Sequence, residues 1–287
     1  MKTAYIIDSS ASLSDNLQNH PDVYVQNLEV TWGDIAYTDT TDIDVMKEFY
    51  NRLVSSKDLP KTSQPKQGEL IEAYEEITLK GYDTVIVITL ASAISGTFST
   101  FQMISEHYNR RLDIRMIDSR GTSFIEERML NYAIELNEAN VSIDTIEEKL
   151  NWFADNSKIY VVIEDLDAIV KGGRLNSMSA FIGSTLKIRP ILHFNQEGKV
   201  EVFEKVRTTK KVYQRYLTLV DEAVKVYPNG IELALAHGDC EVKALKVKAL
   251  IEGKYPQMKF RVGYLTPVLG THAGKNSLGI GILPNLP

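Results

Sequence analysis

The sequence predicts an α/β protein in two parts. An open parallel sheet with flanking helices is expected over residues 1–157, and an α/β portion with a mixed, largely antiparallel sheet over 158–287. Three observations carry this. Short β-branched runs alternate with amphipathic stretches through the first part, the pattern of an open α/β sheet. The run TVIVIT (84–89) is apolar without a break, as strands buried on both faces of a parallel sheet are. After residue 158 the pattern changes: IRPILHF, a turn at NQEG and KVEVFEKV read as an antiparallel hairpin.

Along the chain, AYIID (4–8) is a strand ending in polar residues. VYVQNLEVTW (23–32) reads as one strand, from which GDIAYTD turns back. Residues 43–55 form a predicted helix with Val45, Phe49 and Leu53 on one face. Residues 67–79 form another, with Leu70, Tyr74 and Ile77 at helical spacing. After TVIVIT, Phe98, Phe101, Ile104 and Tyr108 give a helical stripe. DIRMID (113–118) is a strand, followed by a helix near 123–138; Ile143, Ile146, Leu150 and Phe153 mark the next. IYVVI (159–163) opens the second part. The hairpin leads into a helix over 209–227 with Val212, Tyr216, Leu219, Ala223 and Val226 inward. IELALAH (231–237), a helix at 241–253, KFRVGYL (259–265) and a glycine-rich tail complete the chain. No Pro- or Ser-rich linker lies near 157, so the two parts are expected to pack closely.

Composition narrows the function. The 287 residues suit one large domain or two of ordinary size. With 44% hydrophobic and 24% charged residues, the chain can build its own core. The net charge is -6 and no basic stretch forms a nucleic-acid footprint. Cys240 is the single cysteine, which excludes an internal disulfide and a cysteine zinc cluster. The N-terminus runs into a strand pattern with no apolar signal region. No stretch approaches the roughly 18 apolar residues of a membrane helix. A soluble cytoplasmic protein is expected.

Several chemistries have no motif here. The chain lacks a phosphate-binding G-x-x-x-x-G-K-[ST], an H-E-x-x-H and a G-x-S-x-G elbow. GIG at 279–281 echoes a dinucleotide fingerprint, but no helix follows it. HGDC (237–240) reads as a polar strand end rather than a metal site.

The informative stretch is TLASAISGTFST (89–100). A buried strand stops in a cluster of neutral hydroxyls: Ser92, Ser95, Thr97, Ser99 and Thr100, with Gly96 and no charge. Ligands of open α/β sheets bind outside the carboxyl ends of the strands. Ser95-Gly96-Thr97 falls at such an end and opens a helix, whose free N–H groups suit an anion. Taken by itself, that stretch is better explained by simple helix capping through Ser95 or Thr97. Three other polar, glycine-marked stretches accompany it. KTSQPKQGEL has Thr62 and Ser63 before a helix start, KGGRLN has Arg174 after two glycines, and VLGTHAGKNSLGIG has Thr271 and His272 in an expected loop.

IIDSSASL, KTSQPKQGE, ASAISGTFST, VIEDLDAIVKGGRLNSMSAFIGSTLKIRPIL and GTHAGKNSLGIG resemble, in that order, the motif blocks of the DegV family. These are bacterial fatty-acid-binding proteins, and they include the binding subunit of fatty acid kinase. The resemblance spans nearly the whole chain. It implies a two-domain DegV-like α/β fold with one long-chain fatty acid in a buried tunnel. It also implies that Thr62, Ser95 and His272 hold the carboxylate near the interdomain cleft, with Ser63, Gly96, Thr97 and Thr271 in support. Arg174 would lie at the surface, where the kinase subunit docks. Such a protein needs no cofactor and catalyses nothing alone; it presents the acid to a separate ATP-using kinase that forms acyl phosphate for phospholipid synthesis. The chain departs from the family pattern twice. SRGTSFIEERM lacks the later glycines of its block, and Lys275-Asn276 replaces Pro-Gly. Two rival readings accompany this one: a serine-type esterase or amidase using Ser95, His272 and Asp118, and an interaction or regulatory domain with an empty pocket.

Overall fold

The computed structural model describes residues 2–56, 58–164, 166–175 and 189–287. The chain runs β1 (Thr3–Asp8), α1 (Asp15–Gln18), β2 (Val23–Gln26), β3 (Glu29–Trp32), β4 (Ile35–Thr38), α2 (Ile43–Ser55), β5 (Lys61–Ser63) and α3 (Gln67–Leu79). It continues through β6 (Thr84–Thr89), α4 (Thr97–Ser105), β7 (Asp113–Asp118), α5 (Phe124–Glu138) and α6 (Ile143–Asn156). The remainder is β8 (Lys158–Val162), α7 (Asp167–Lys171), β9 (Arg189–Phe194), β10 (Val200–Val206), α8 (Thr209–Val226), β11 (Ile231–His237), α9 (Glu241–Glu252), β12 (Lys259–Tyr264), α10 (Pro267–Ala273) and β13 (Leu278–Pro284).

The first sheet is parallel throughout, in the order β2-β1-β6-β7. Its two central strands are buried at every residue, because helices cover both faces. The period of two sorts their side chains. Ala4, Ile6, Val85 and Val87 meet Leu70, Tyr74 and Ile77 of α3 and Phe101 of α4. Tyr5, Ile7, Ile86 and Ile88 face the other way, onto α5 and α6. Each fully buried aliphatic or aromatic side chain contributes about 1.5–3 kcal/mol.

The second sheet is mixed, in the order β10-β9-β8-β13-β11-β12, with only β11–β12 parallel. On one face Leu233, Leu235, Ile280 and Ile282 pack under α8 and α9. The other face turns toward α5 and α6, with Ala234 and Leu283 joining their core. The β9–β10 hairpin reaches across to the parallel sheet. At its turn Gly198 has φ +76°, and a Cβ there would lie 2.9 Å from the Ala91 Cβ. Only glycine meets both demands.

Four expectations change. Residues 23–32 split into two strands: β2 pairs with β1, while β3 joins a separate antiparallel sheet, β4-β3-β5. The break comes where Leu28 is buried and its N–H bonds Ser9 Oγ at 3.0 Å. On α2 the inward residues are Met46 and Tyr50, while Val45 is 50% exposed. Tyr50 sets that rotation by donating its hydroxyl to Leu265 O at 2.9 Å. Val226, expected inward on α8, is 65% exposed at the helix end. The glycine-rich tail is α10 followed by β13, a fully buried strand between β8 and β11.

Three buried acids tie the loops at the carboxyl end of the parallel sheet. Asp8 accepts from Leu90 N at 2.8 Å and Ser10 N at 3.0 Å. Glu126 accepts from Ser10 Oγ at 2.7 Å. Asp39 accepts from Ser9 Oγ at 2.9 Å and Val268 N at 3.0 Å. Burial pushes Asp8 up to about 6 and Asp39 up to about 7. Burial, then the Asp8 charge, holds Glu126 well above the carboxyl range.

Unfolded carboxyls titrate near 4. Stability contributed by the protonated native forms is therefore complete below about pH 4 and is lost as pH rises through 6 and 7. Glu126→Gln should gain on wild type as pH rises from about 5 to 8, since the amide cannot ionise. Urea unfolding of both proteins across that range measures the double difference, in which the histidines cancel. A constant difference would show that Glu126 carries no perturbed proton.

Candidate functional site

The loops behind β6 and β7 face the six-stranded sheet and enclose a cavity between them. Its floor is made of small residues, Ala234 and Ala236 of β11 with Gly279 and Gly281 of β13. A Cβ at Gly279 would meet no atom closer than 3.7 Å, so that glycine provides space rather than relief of a clash. The walls include Leu90, Ile94, Ile159, Val161, Phe194 and Val268. The atom-free space is about 1000 Å³, counting its opening.

The cavity leads to a polar mouth. Leu28, Thr62, Ser95 and Arg174 border both, and Ser63, Gln64, Gly96 and Thr100 border the mouth alone. Thr62 sits on β5 opposite Val30 of β3. Its Oγ1 lies 2.9 Å from His272 Nε2. His272 is carried by α10, which starts with Pro267 after the N-cap Thr266, so it stands on a short helix and not on the expected loop. Its Nδ1 is buried without a partner among the described residues. A Cβ at Gly172 would come within 2.7 Å of that nitrogen. Burial, then the Arg174 charge, lowers His272 to about 4, so the ring is neutral at physiological pH.

Ser95 Oγ lies 2.8 Å from Thr97 Oγ1 and accepts from Thr97 N at 3.3 Å. The N-cap of α4 is Gly96, so Ser95, one residue earlier, takes only the first helical N–H while it also borders the cavity. Gly96 lets Gln64 lie across the loop, where a Cβ would collide with the Gln64 amide. Thr100 holds that amide by donating to Gln64 Oε1. Ser63 is exposed at the mouth and donates to Glu29 at 3.4 Å. Thr97 and Thr271 are buried but border neither the cavity nor the mouth; Thr271 donates to Pro267 O at 2.9 Å.

Arg174 does not project freely. Gly173 at φ +75° closes α7 with bonds from Gly173 N to Val170 O and from Arg174 N to Ile169 O, a Schellman ending. The half-buried guanidinium turns inward, donating to Ile94 O at 3.1 Å and to Gly172 O. The rest of the expected block from Asn176 through residue 188 lies outside the described residues.

A hydrolase triad is not assembled. His272 pairs with Thr62, while Asp118 accepts from Ser92 Oγ at 2.5 Å and Arg120 N at 2.9 Å. HGDC is a strand end: His237 Nδ1 accepts from Cys240 N at 3.3 Å. No group of three or more metal-ligating side chains occurs among the described residues. The two departures from the family motifs keep ordered turns. Arg120 and Ser123 take φ of 49° and 61°, and Asn276 at φ 66° tolerates the left-handed region.

A model of the uncharacterised protein family DegV matches residues 2–285. The chain belongs to the DegV family. Protein DegV of Bacillus subtilis is 36% identical over 283 residues, 98% of each chain. The crystal structure of a fatty acid binding DegV family protein from Streptococcus agalactiae matches at TM-score 0.92 and 32% identity, over 99% of both chains. That of DegV, a fatty acid binding protein from Bacillus subtilis, matches at 0.87 and 33%, over 99% of this chain and 100% of the other. The DegV-like α/β fold expected from the motifs is therefore the fold observed. No helix among the described residues is long and apolar enough to cross a membrane.

The motif blocks singled out Thr62, Ser95 and His272, which border the cavity together. Sequence reasoning missed Gln64, Gly172 as the residue against His272, and the Ala/Gly floor. The glycines of GIG were visible, yet their place on a strand was not. His272 should titrate near pH 4 in carbon-detected imidazole NMR. A midpoint near 6.5 would mean a hydrated ring and an open site.

Proposed function

We propose that this protein binds a long-chain monocarboxylic fatty acid in the cavity and presents its carboxylate at the mouth. The carrying observation is the junction of an apolar cavity with the Thr62–His272 pair and Ser95. The acyl chain provides affinity: at about 0.8 kcal/mol per buried methylene, a long chain gains on the order of 10 kcal/mol before ordering costs. A single hydrogen bond adds about 1 kcal/mol. The polar groups therefore orient the acid. The fatty acid binding named for the two solved relatives supports this reading.

The donors at the head group would be mostly neutral. Hydroxyls and an uncharged imidazole satisfy a carboxylate while leaving it nucleophilic, whereas a tight ammonium pair would quench it. In our reading the protein, in the cytoplasm, hands the acid to a separate ATP-dependent fatty acid kinase subunit, which forms acyl phosphate for phospholipid synthesis. This protein contributes binding and orientation and no catalytic step, cofactor or metal. The motif resemblance supports that partnership. Arg174 borders the mouth, where its guanidinium suits a phosphoryl group or an acidic partner surface.

Mass spectrometry of organic extract from purified protein should find a fatty acid of roughly 14–18 carbons. Delipidated protein that takes up none would favour an interaction domain with an empty pocket, and turnover of a chromogenic ester would favour a hydrolase. Ser95→Ala and His272→Ala should each weaken binding by about 1–3 kcal/mol, the cost of leaving a buried acceptor short of a partner. Unchanged affinity in both would move the carboxylate elsewhere. Arg174→Ala should keep lipid content near normal yet lose most acyl-phosphate formation with kinase subunit and ATP. Joint loss would assign Arg174 to the pocket, and no loss would move docking to other loops.

A further inference from the structure

Phe124 separates two spaces. It borders the apolar cavity, together with Ile125 and Ala236, but not the polar mouth. It also borders a second, surface groove with Met46, Arg261 and Tyr264, whose rim includes the exposed Ser14 and Ile43. Phe124 is the residue that the two linings share, and it is 8% exposed.

Local geometry fixes that ring. Ser123 precedes it at φ 61° and ψ -129°, a region costly for any residue with a Cβ. The Ser123 hydroxyl lies 2.8 Å from that of Ser12, which anchors the strained turn to the loop after β1. From the other side, Gly263 of β12 makes room: a Cβ there would lie 2.9 Å from Phe124 Cζ. That glycine has no positive φ, so its backbone does not require glycine. Its missing side chain accommodates the ring.

We propose that Phe124 is the stop that closes the acyl cavity off from this groove and so sets the longest chain the protein accepts. The inference rests on the fatty-acid reading above. Removing the ring joins the cavity to the groove and gives the chain a way out at its methyl end. Enlarging Gly263 drives the ring into the cavity and shortens it.

The test is competitive displacement of a fluorescent fatty acid from delipidated protein by myristate, palmitate, stearate, arachidate and behenate. Wild type should bind palmitate at least about tenfold more tightly than behenate, a difference of about 1.4 kcal/mol. Phe124→Ala should bring behenate to within about threefold of palmitate, with Phe124→Leu intermediate. Gly263→Val should shift the optimum toward myristate. Should Phe124→Ala fail to fold, Phe124→Leu and Gly263→Val decide the matter by moving the profile in opposite directions. A wild-type profile retained in the folded variants overturns the inference while leaving the fatty-acid reading intact. Wild type that binds no fatty acid overturns both.

Discussion

Where the strands of a parallel sheet end, backbone N–H groups leave the ladder in a place that water does not reach, and each needs an acceptor. Here Asp8 and Asp39 supply them. Asp8 takes the Leu90 N–H, which opens the hydroxyl-bearing loop, and the Ser10 N–H, whose side chain reaches Glu126 on α5. Asp39 takes the Val268 N–H, the start of the helix that carries His272. The three segments that shape the cavity are thus hung from two carboxyl groups and a third acid beside them. These donors offset only part of their desolvation cost, which is why burial still pushes Asp8 and Asp39 up, and the rigidity is what lets short loops hold side chains in fixed positions.

The same economy of charge governs the mouth. Arg174 lies close enough to help keep His272 neutral, while its own guanidinium is held by backbone carbonyls. Neutral hydroxyls and imidazole then face the apolar cavity. In the proposed reading, affinity and orientation would come from different residues, so either could change with little effect on the other. Ser95 illustrates the overlap of roles: the residue whose oxygen accepts the first N–H of α4 also borders the cavity.

Much of this was legible in the sequence where one physical rule acted alone. TVIVIT is apolar because both faces of its strand are covered, and Leu70, Tyr74 and Ile77 repeat at helical spacing because one face of α3 is buried. Legibility failed where two demands overlapped. The run 23–32 keeps its strand pattern across the Asn27-Leu28 break, since both pieces are strands, and only pairing partners distinguish them. The final strand hid behind its glycines, because a strand that must leave room for something else lacks the bulky residues that announce strands. Arg174 was legible as a residue of interest, while its inward turn depended on carbonyls of distant Ile94 and adjacent Gly172. Phe124 was unremarkable in one dimension; its significance lies in what stands on either side.

The Ala/Gly floor has a last consequence. By withholding side chains from the middle of a sheet, the chain leaves a gap in its own interior, and such a gap weakens a fold in proportion to its volume. A bound molecule would complete the packing like a detachable fragment of the core. Anything that binds only the native state raises its stability with concentration. Occupancy would then be written into the lifetime of the fold itself, so that cellular quality control could tell the filled protein from the empty one without any dedicated sensor.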